Sequence, residues 1–290
     1  MALDLPRRWV VGVPAATLLL FGLVVVTSGI AAALARPPAA DEPGRVLLRV
    51  FAVCAVDATL LTWAILRTAA RGARLVGLVV ALYFGIAAFM TQNETLYFNR
   101  ALDVPAGVVW GVLASGLVTA VLFGLAASRW LVPRETAARA TGVTSQGLAW
   151  KTALLAGVFY PALYFGFGYF VLWQDESARL LYQGSAELAP FAEHMAGVLR
   201  DDPWLTPWQC LRGLLWVGLA AGVMRDATSR WPETALLVGL LFALLMNMQH
   251  WIPNPFLPPE VRWAHFVETV PSNFLLGAGI VWTLRDRTLR

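Results

Sequence analysis

The chain has little charge and few groups able to do chemistry. Of 290 residues only 14% are charged, two are cysteine and three are histidine, against roughly 25% charged in an ordinary soluble domain. Scarce charge excludes a water-exposed globule of this length. Two cysteines, Cys54 and Cys210, both inside apolar runs, exclude a disulfide framework and a thiolate metal site, since a cysteine in such a run behaves as a small hydrophobe. There is no Gly-rich phosphate loop and no Gly-x-Ser-x-Gly elbow, so nucleotide-binding and serine-hydrolase folds with those signatures are also excluded. Lysine is nearly absent: Lys151 stands among 22 basic residues. The pI near 9.4 therefore reads first as a signal of membrane orientation, and no nucleic-acid partner is expected.

What is present is apolar. Hydrophobic residues make up 58% of the chain and the mean hydropathy is +0.63. Runs near the roughly 20 residues that cross a bilayer recur along it: Trp9 to Leu34, Val46 to Leu66, Leu75 to Thr91, Val104 to Ser128, Thr152 to Trp173, Pro207 to Met224, Thr234 to Trp251 and Trp263 to Leu284. The sequence thus predicts an all-α polytopic membrane helix bundle of about eight transmembrane helices, a single integral membrane domain over 1–290. Arg7 and Arg8 before an apolar run, with Ala33-Leu34-Ala35 after it, imitate a signal peptide. The run is about twice the usual 7–15 apolar residues of such peptides, so an uncleaved first helix is expected.

Charge gives the orientation. With the N-terminus cytoplasmic, Arg7, Arg8, Arg67, Arg71, Arg74, Arg129, Arg134, Arg139, Lys151, Arg225, Arg230, Arg285, Arg287 and Arg290 fall inside, 14 of the 22 basic residues. Of the acidic residues only Asp4, Glu135, Asp226, Glu233 and Asp286 join them, while Asp57 lies within a span. An N-in, C-in protein of the cytoplasmic membrane follows. Tryptophans flank both interfaces in this arrangement, with Trp9, Trp63, Trp130, Trp150, Trp231 and Trp282 inside and Trp173, Trp204, Trp208, Trp251 and Trp263 outside.

The segment from Gln174 to Thr206 is too long for a turn. Leu188, Phe191, Met195 and Val198 repeat in it at helical spacing, which predicts a short amphipathic helix on the outer face, either a lid or a cap over helix ends. Leu75-Val76-Gly77-Leu78 followed by Ala81-Leu82 matches Leu237-Val238-Gly239-Leu240 followed by Ala243-Leu244. That match raises a parallel duplication, with halves 1–131 and 150–290.

Polar groups inside a bilayer turn towards the bundle interior and carry the functional hint. Here they collect near the outer ends of spans: Gln92, Asn93 and Glu94 on the third; Asn247, Gln249 and His250 on the seventh; His265, Glu268, Ser272 and Asn273 on the eighth. His265 and Glu268, three apart, share a helix face. The Pro-rich run 252–259 forces a reversal, so the last two spans are antiparallel neighbours with Asn247 and His250 at the depth of His265. Glu94, Asn93, Asn247, Gln249 and Asn273 are therefore candidate binding residues, with His265, Glu268 and His250 the candidate catalytic groups. The same three residues are also the candidate ligands of a divalent metal, and haem on His250 and His265 is the weaker cofactor option, because nothing indicates a flat cavity. Without metal, His265 hydrogen-bonded to Glu268 is a general base near neutral pH. Arg212 is expected to snorkel to the headgroups or to pair with Glu94 or Glu268.

The function expected is that of an extracytoplasmic-facing polar pocket that binds or processes a lipid or small amphiphile, as a membrane-embedded hydrolase or transferase would. Two alternatives stand beside it. Asp57, the deepest carboxyl, is a candidate coupling site of a proton-coupled transporter or channel, and the long loop is a candidate partner-docking element of a non-catalytic subunit. Tyr164-Phe165-Gly166-Phe167-Gly168-Tyr169 could line a cavity for a lipid tail, or simply pack. Gly107 with Gly111 and Gly218 with Gly222 have the spacing of close helix approach.

Overall fold

The computed structural model describes residues 4–35, 43–132 and 138–288. Arg134, Glu135 and Arg290, used above for orientation, lie outside them. The described chain is helical, and the only strand-like bridges among the described residues are isolated, Thr68 with Ala227 and Val143 with Arg285.

Long helices form where the apolar runs predict them. These are α1 (Asp4–Ala35), α2 (Pro43–Leu66), α3 (Ala73–Tyr97), α4 (Ala106–Trp130) and α5 (Leu148–Gln174), followed by the shorter α6 (Glu176–Gln183) and α7 (Phe191–Asp201), then α8 (Leu205–Met224), α9 (Trp231–Trp251) and α10 (Pro259–Leu284). Among the described residues six of them, α1 to α5 and α9, are long and apolar enough to cross a membrane. This is a helical, multi-pass membrane protein. The helices α8 and α10 match the others in length, and their apolar character is diluted by Gln209 and Arg212 on one and by Glu268, Ser272 and Asn273 on the other, all buried. Two helices, α6 and α7, stand where a single amphipathic one was expected; Leu188 precedes α7 instead of joining it.

Three long helices widen locally into π turns: α3 over Ala81–Met90, α5 over Leu155–Phe159 and α9 over Leu241–Leu245. In α5 the cause is local. Pro161 has no N–H to give and its ring presses on the carbonyl four residues back, so the preceding turn opens. That opening is used, because a Cβ on Gly213 of α8 would stand 2.7 Å from the Ala156 carbonyl oxygen. Glycine alone allows α8 to lie against the widened turn, and its neighbour Arg212 is thereby carried into the bundle.

The helices alternate in direction, so one end of the bundle gathers the C-termini of α3, α5 and α9 with the N-termini of α4, α8 and α10. The opposite end is tied shut. There the Asp226 carboxylate receives Arg74 at 2.7 Å and Arg139 at 2.8 Å, Arg67 meets Glu233 at 2.6 Å, and Thr141 donates to the Ser229 carbonyl at 2.7 Å. Backbone bonds run from Ala69 to Asp226 and from Thr228 to Arg67.

Of the two expected glycine pairs one needs correcting. A Cβ on Gly111 of α4 would meet Ala31 Cβ of α1 at 3.4 Å, so that glycine does lie at a helix contact. Gly218 and Gly222 face open space, since nothing lies within 4 Å of an added Cβ. Close approach occurs instead between α9 and α10, where a Cβ on Gly277 would meet the Val238 carbonyl oxygen at 2.7 Å and Gly239 Cα at 2.9 Å. Neither backbone atom can swing aside. Gly277→Ala should therefore lower stability by about 1–3 kcal/mol, whereas Gly218→Ala should be neutral or slightly stabilising, as alanine is the better helix former. Thermal unfolding of the purified chain in a non-ionic detergent checks both, and equal shifts would refute the contact.

Candidate functional site

A cavity of about 550 Å³ opens at the end where α3, α5 and α9 terminate, within the range of small-molecule sites. Its walls are largely aromatic and apolar, with Phe98, Tyr164, Phe165, Tyr169 and Trp173 among them, and α6 and α7 cover it. Beneath it lies a second space of about 20 Å³, the size of a single water, lined by Glu94, Tyr160, Arg212, Glu268, Ser272 and Asn273. Glu94 and Glu268 border both spaces.

Most of the expected site residues meet here. Glu94, Asn247, Gln249, His250, His265 and Glu268 line the large cavity, and Asn273 the small one. Asn93 and Asp57 line neither. The Asn93 Oδ1 and the Asp57 Oδ1 are each buried without a hydrogen-bond partner. Asn247 is held by bonds from its Nδ2 to the Ala243 carbonyl at 2.7 Å and from Thr269 Oγ1 to its Oδ1 at 2.6 Å. Gln249 donates to Thr91 Oγ1 at 3.0 Å. These two amides clamp α9 to its neighbours at the cavity rim.

The centre of the site is His265. Its Nδ1 lies 3.4 Å from Glu268 Oε2 and its Nε2 lies 2.8 Å from the Tyr182 hydroxyl. Burial, and secondarily the Glu94 and Glu268 carboxylates, push the Tyr182 phenol above the usual tyrosine range. It therefore keeps its proton and donates to Nε2, which leaves the Nδ1 proton facing Glu268. Carboxylate, imidazole and phenol form one proton-transfer line ending in the cavity. Sequence reading missed Tyr182, because nothing in an eight-residue loop helix marks one tyrosine as turned inward.

The expected metal ligands do not gather in this geometry. Among the described residues no three His, Cys, Asp or Glu side chains come together as a metal site. The His250 and His265 rings stack with centroids 5.8 Å apart and an angle of 8°. A nitrogen lone pair lies in its ring plane, so parallel stacked rings point theirs along separate planes and do not converge on one ion. Both His265 nitrogens are already engaged, which argues equally against haem on this pair.

Arg212 does not snorkel. It is 2% exposed, and its Nη2 meets Glu94 Oε2 at 3.0 Å while the Glu94 side chain stays 29% exposed to the cavity. Gln209 Oε1 accepts from Nη1 at 3.1 Å, and the Trp208 ring lies 4.8 Å from the guanidinium carbon. Tyr97 stacks on Trp208 at 4.2 Å and donates to Asp202 at 2.8 Å, so the pair is linked to the end of α7. The cover is fastened again by Tyr169 to the Ala189 carbonyl at 2.7 Å and by Trp173 Nε1 to His194 Nδ1 at 2.9 Å. His194 of α7 itself lines the cavity.

Two outcomes follow. Glu94→Gln strands a buried guanidinium and should cost about 3–5 kcal/mol, the usual penalty for breaking a buried pair. Arg212→Met leaves a carboxylate that the cavity can hydrate, and should cost less than half as much; thermal unfolding of the two variants compares them, and equal losses would remove the asymmetry. Burial lowers the His194 pKa below the ordinary 6.5, so the docked cover holds neutral imidazole and a detached cover holds one that titrates normally. Docking is then strongest above about pH 6.5 and weakens as pH falls towards the lowered value. A nitroxide at Ala196→Cys should become more mobile between about pH 7.5 and 5.5, and His194→Gln should abolish that change.

Comparison of the chain with known protein families, with curated proteins and with solved structures finds no match, so the chemistry assigned to this site rests on its own geometry.

Proposed function

We propose that the chain crosses the cytoplasmic membrane eight times, with the start of α1 and the end of α10 on the cytoplasmic side, and binds an amphiphile in its extracytoplasmic cavity. The eight-span reading is supported by α8 and α10 themselves. At 20 and 26 residues they extend about 30 and 39 Å, and their outward faces are apolar, with Leu211, Leu214 and Leu215 on one and Trp263, Val267 and Leu275 on the other. Polar inside and apolar outside is the pattern of a helix surrounded by lipid on one face and a site on the other. The basic residues of the loops at the closed end support the orientation. A parallel duplication also gains support: in the register that superposes Leu75 on Leu237, Leu241–Leu245 falls on residues 79–83, overlapping the π segment Ala81–Met90.

The observation that carries the ligand class is the mixed lining of the large cavity. It combines Glu94, Glu268, His265 and Tyr182 with the apolar Val108 and Val112 of α4 and Phe165 of α5. A ligand with a polar head and an apolar tail satisfies both, and a hydroxyl that takes the place of the Tyr182 phenol can pass its proton to His265.

Binding of a pyrene-tailed alkanol to the chain in phosphatidylcholine nanodiscs tests this. Saturable, one-to-one binding is expected, together with at least a tenfold loss in Gly168→Leu, whose added side chain points at Glu268 Oε1, 3.9 Å from the new Cβ. Partitioning equal to that of empty discs would sink the proposal. One observation favours a second reading, a proton-coupled transporter: the Asp57 carboxyl is buried in mid-helix with Oδ1 unpartnered. Asp57→Asn should leave alkanol binding unchanged, and in that second reading alone it abolishes proton-coupled uptake by proteoliposomes.

A further inference from the structure

Three arginines are buried among the described residues: Arg179, Arg212 and Arg262. The first two are matched. Arg179 donates from Nε and Nη1 to the Ala186 and Trp173 carbonyls at 2.8 and 2.6 Å, and Arg212 has the Glu94 carboxylate. Arg262 has neither arrangement. It is 8% exposed, its Nη1 donates to the Ile252 carbonyl, its Nε is buried without a partner, and among the described residues no carboxylate lies within ion-pair distance of it.

Its surroundings add to the deficit. Arg262 sits in the first turn of α10, where the unpaired N–H groups of the helix already carry partial positive charge and a cation is disfavoured. Across from it, Arg49 of α2 donates to the Trp251 carbonyl at 3.2 Å, so two guanidinium groups converge on adjacent carbonyls of the Pro-rich reversal. Arg49 repels Arg262 and Glu260 attracts it, but Glu260 is exposed and forms no ion pair with it. An under-neutralised buried cation at a helix N-terminus that lines a cavity lacks an anion. The guanidinium fork suits a phosphate or carboxylate, which it can grip with two parallel bonds.

Resting on the amphiphile reading above, we propose that the ligand is an anionic amphiphile whose phosphate or carboxylate head sits on Arg262, within the positive field of Arg49. Phe256 and Leu257 line the same cavity, and in this proposal the tail runs from the head towards Val108 and Val112. Arg262 lies one helical turn before His265, on the same face, so the head is delivered next to the proton-transfer line.

Displacement of the pyrene-tailed alkanol from phosphatidylcholine nanodiscs tests the charge. Dodecyl phosphate should compete at least tenfold better than dodecanol, inorganic phosphate should not compete, and dodecyltrimethylammonium should be weaker than dodecanol. Arg262→Gln should reduce the preference for dodecyl phosphate over dodecanol to less than twofold, and Arg262→Lys should retain most of it. Should Arg262→Gln not fold, the wild-type preference and its retention in Arg262→Lys decide. Equal competition by dodecyl phosphate and dodecanol overturns the anionic head and leaves the amphiphile reading standing. Inorganic phosphate matching dodecyl phosphate overturns the tail and indicates a free-anion site. Failure of the alkanol itself to bind overturns both.

Discussion

A guanidinium held 2% exposed between apolar helices is tolerated only beside an anion at fixed distance, because the desolvation of either charge alone is worth several kcal/mol. The Arg212–Glu94 pair therefore fixes where the N-terminal part of α8 and the C-terminal part of α3 sit relative to each other. Much of the site follows from that. The floor of the small chamber is the pair itself, Tyr97 and Trp208 stack outward from it towards the cover, and Glu268 faces it across a space for one water. The rest of the bundle supplies the apolar surroundings that make the pair hard to break.

Steric allowance matters as much as charge. The approach of α8 to α5 depends on Gly213 against the opened turn at Ala156, and that of α9 to α10 on Gly277 against the Val238 carbonyl. Backbone meets backbone at both contacts, so neither adjusts by side-chain rotation. The helices that carry His250, His265 and Glu268 are thereby set in place by atoms that take no part in chemistry.

The helices were legible in the sequence because lipid and interior impose the same apolar rule over twenty residues; the run from Val46 to Leu66 becomes a helix from Pro43 to Leu66. The gathering of Glu94, Asn247, His265 and Glu268 around one cavity was legible for the complementary reason, since polar residues in such runs have few places to go. Contacts between helices were not. Spacing alone could not separate Gly277, which touches a neighbour, from Gly218, which touches nothing. The π turns of α3 and α9 carry no mark comparable to the Pro161 that opens the one in α5, and the stacking of His250 on His265 depends on the path of the Pro-rich reversal. Arg262 did carry a signal, standing three residues before His265 as Glu268 stands three after. A lone arginine near a helix start is ordinarily a snorkelling group, and only its missing anion distinguishes it.

The ties around Asp226 have a consequence for how the molecule can work. They join the connection between α8 and α9 to the start of α3 and the α2–α3 connection through the Arg74 ion pair and two backbone bonds, and to the α4–α5 connection through the Arg139 ion pair and backbone bonds from Ala140 and Thr141. Passage of a solute from one face to the other by rocking one half of the bundle against the other would have to break them together. Filling and emptying the cavity asks only that α6 and α7 lift, or that a tail slide past α4. Under the proposed amphiphile binding, the fold serves as a cup stapled at its base, filled and emptied through one mouth.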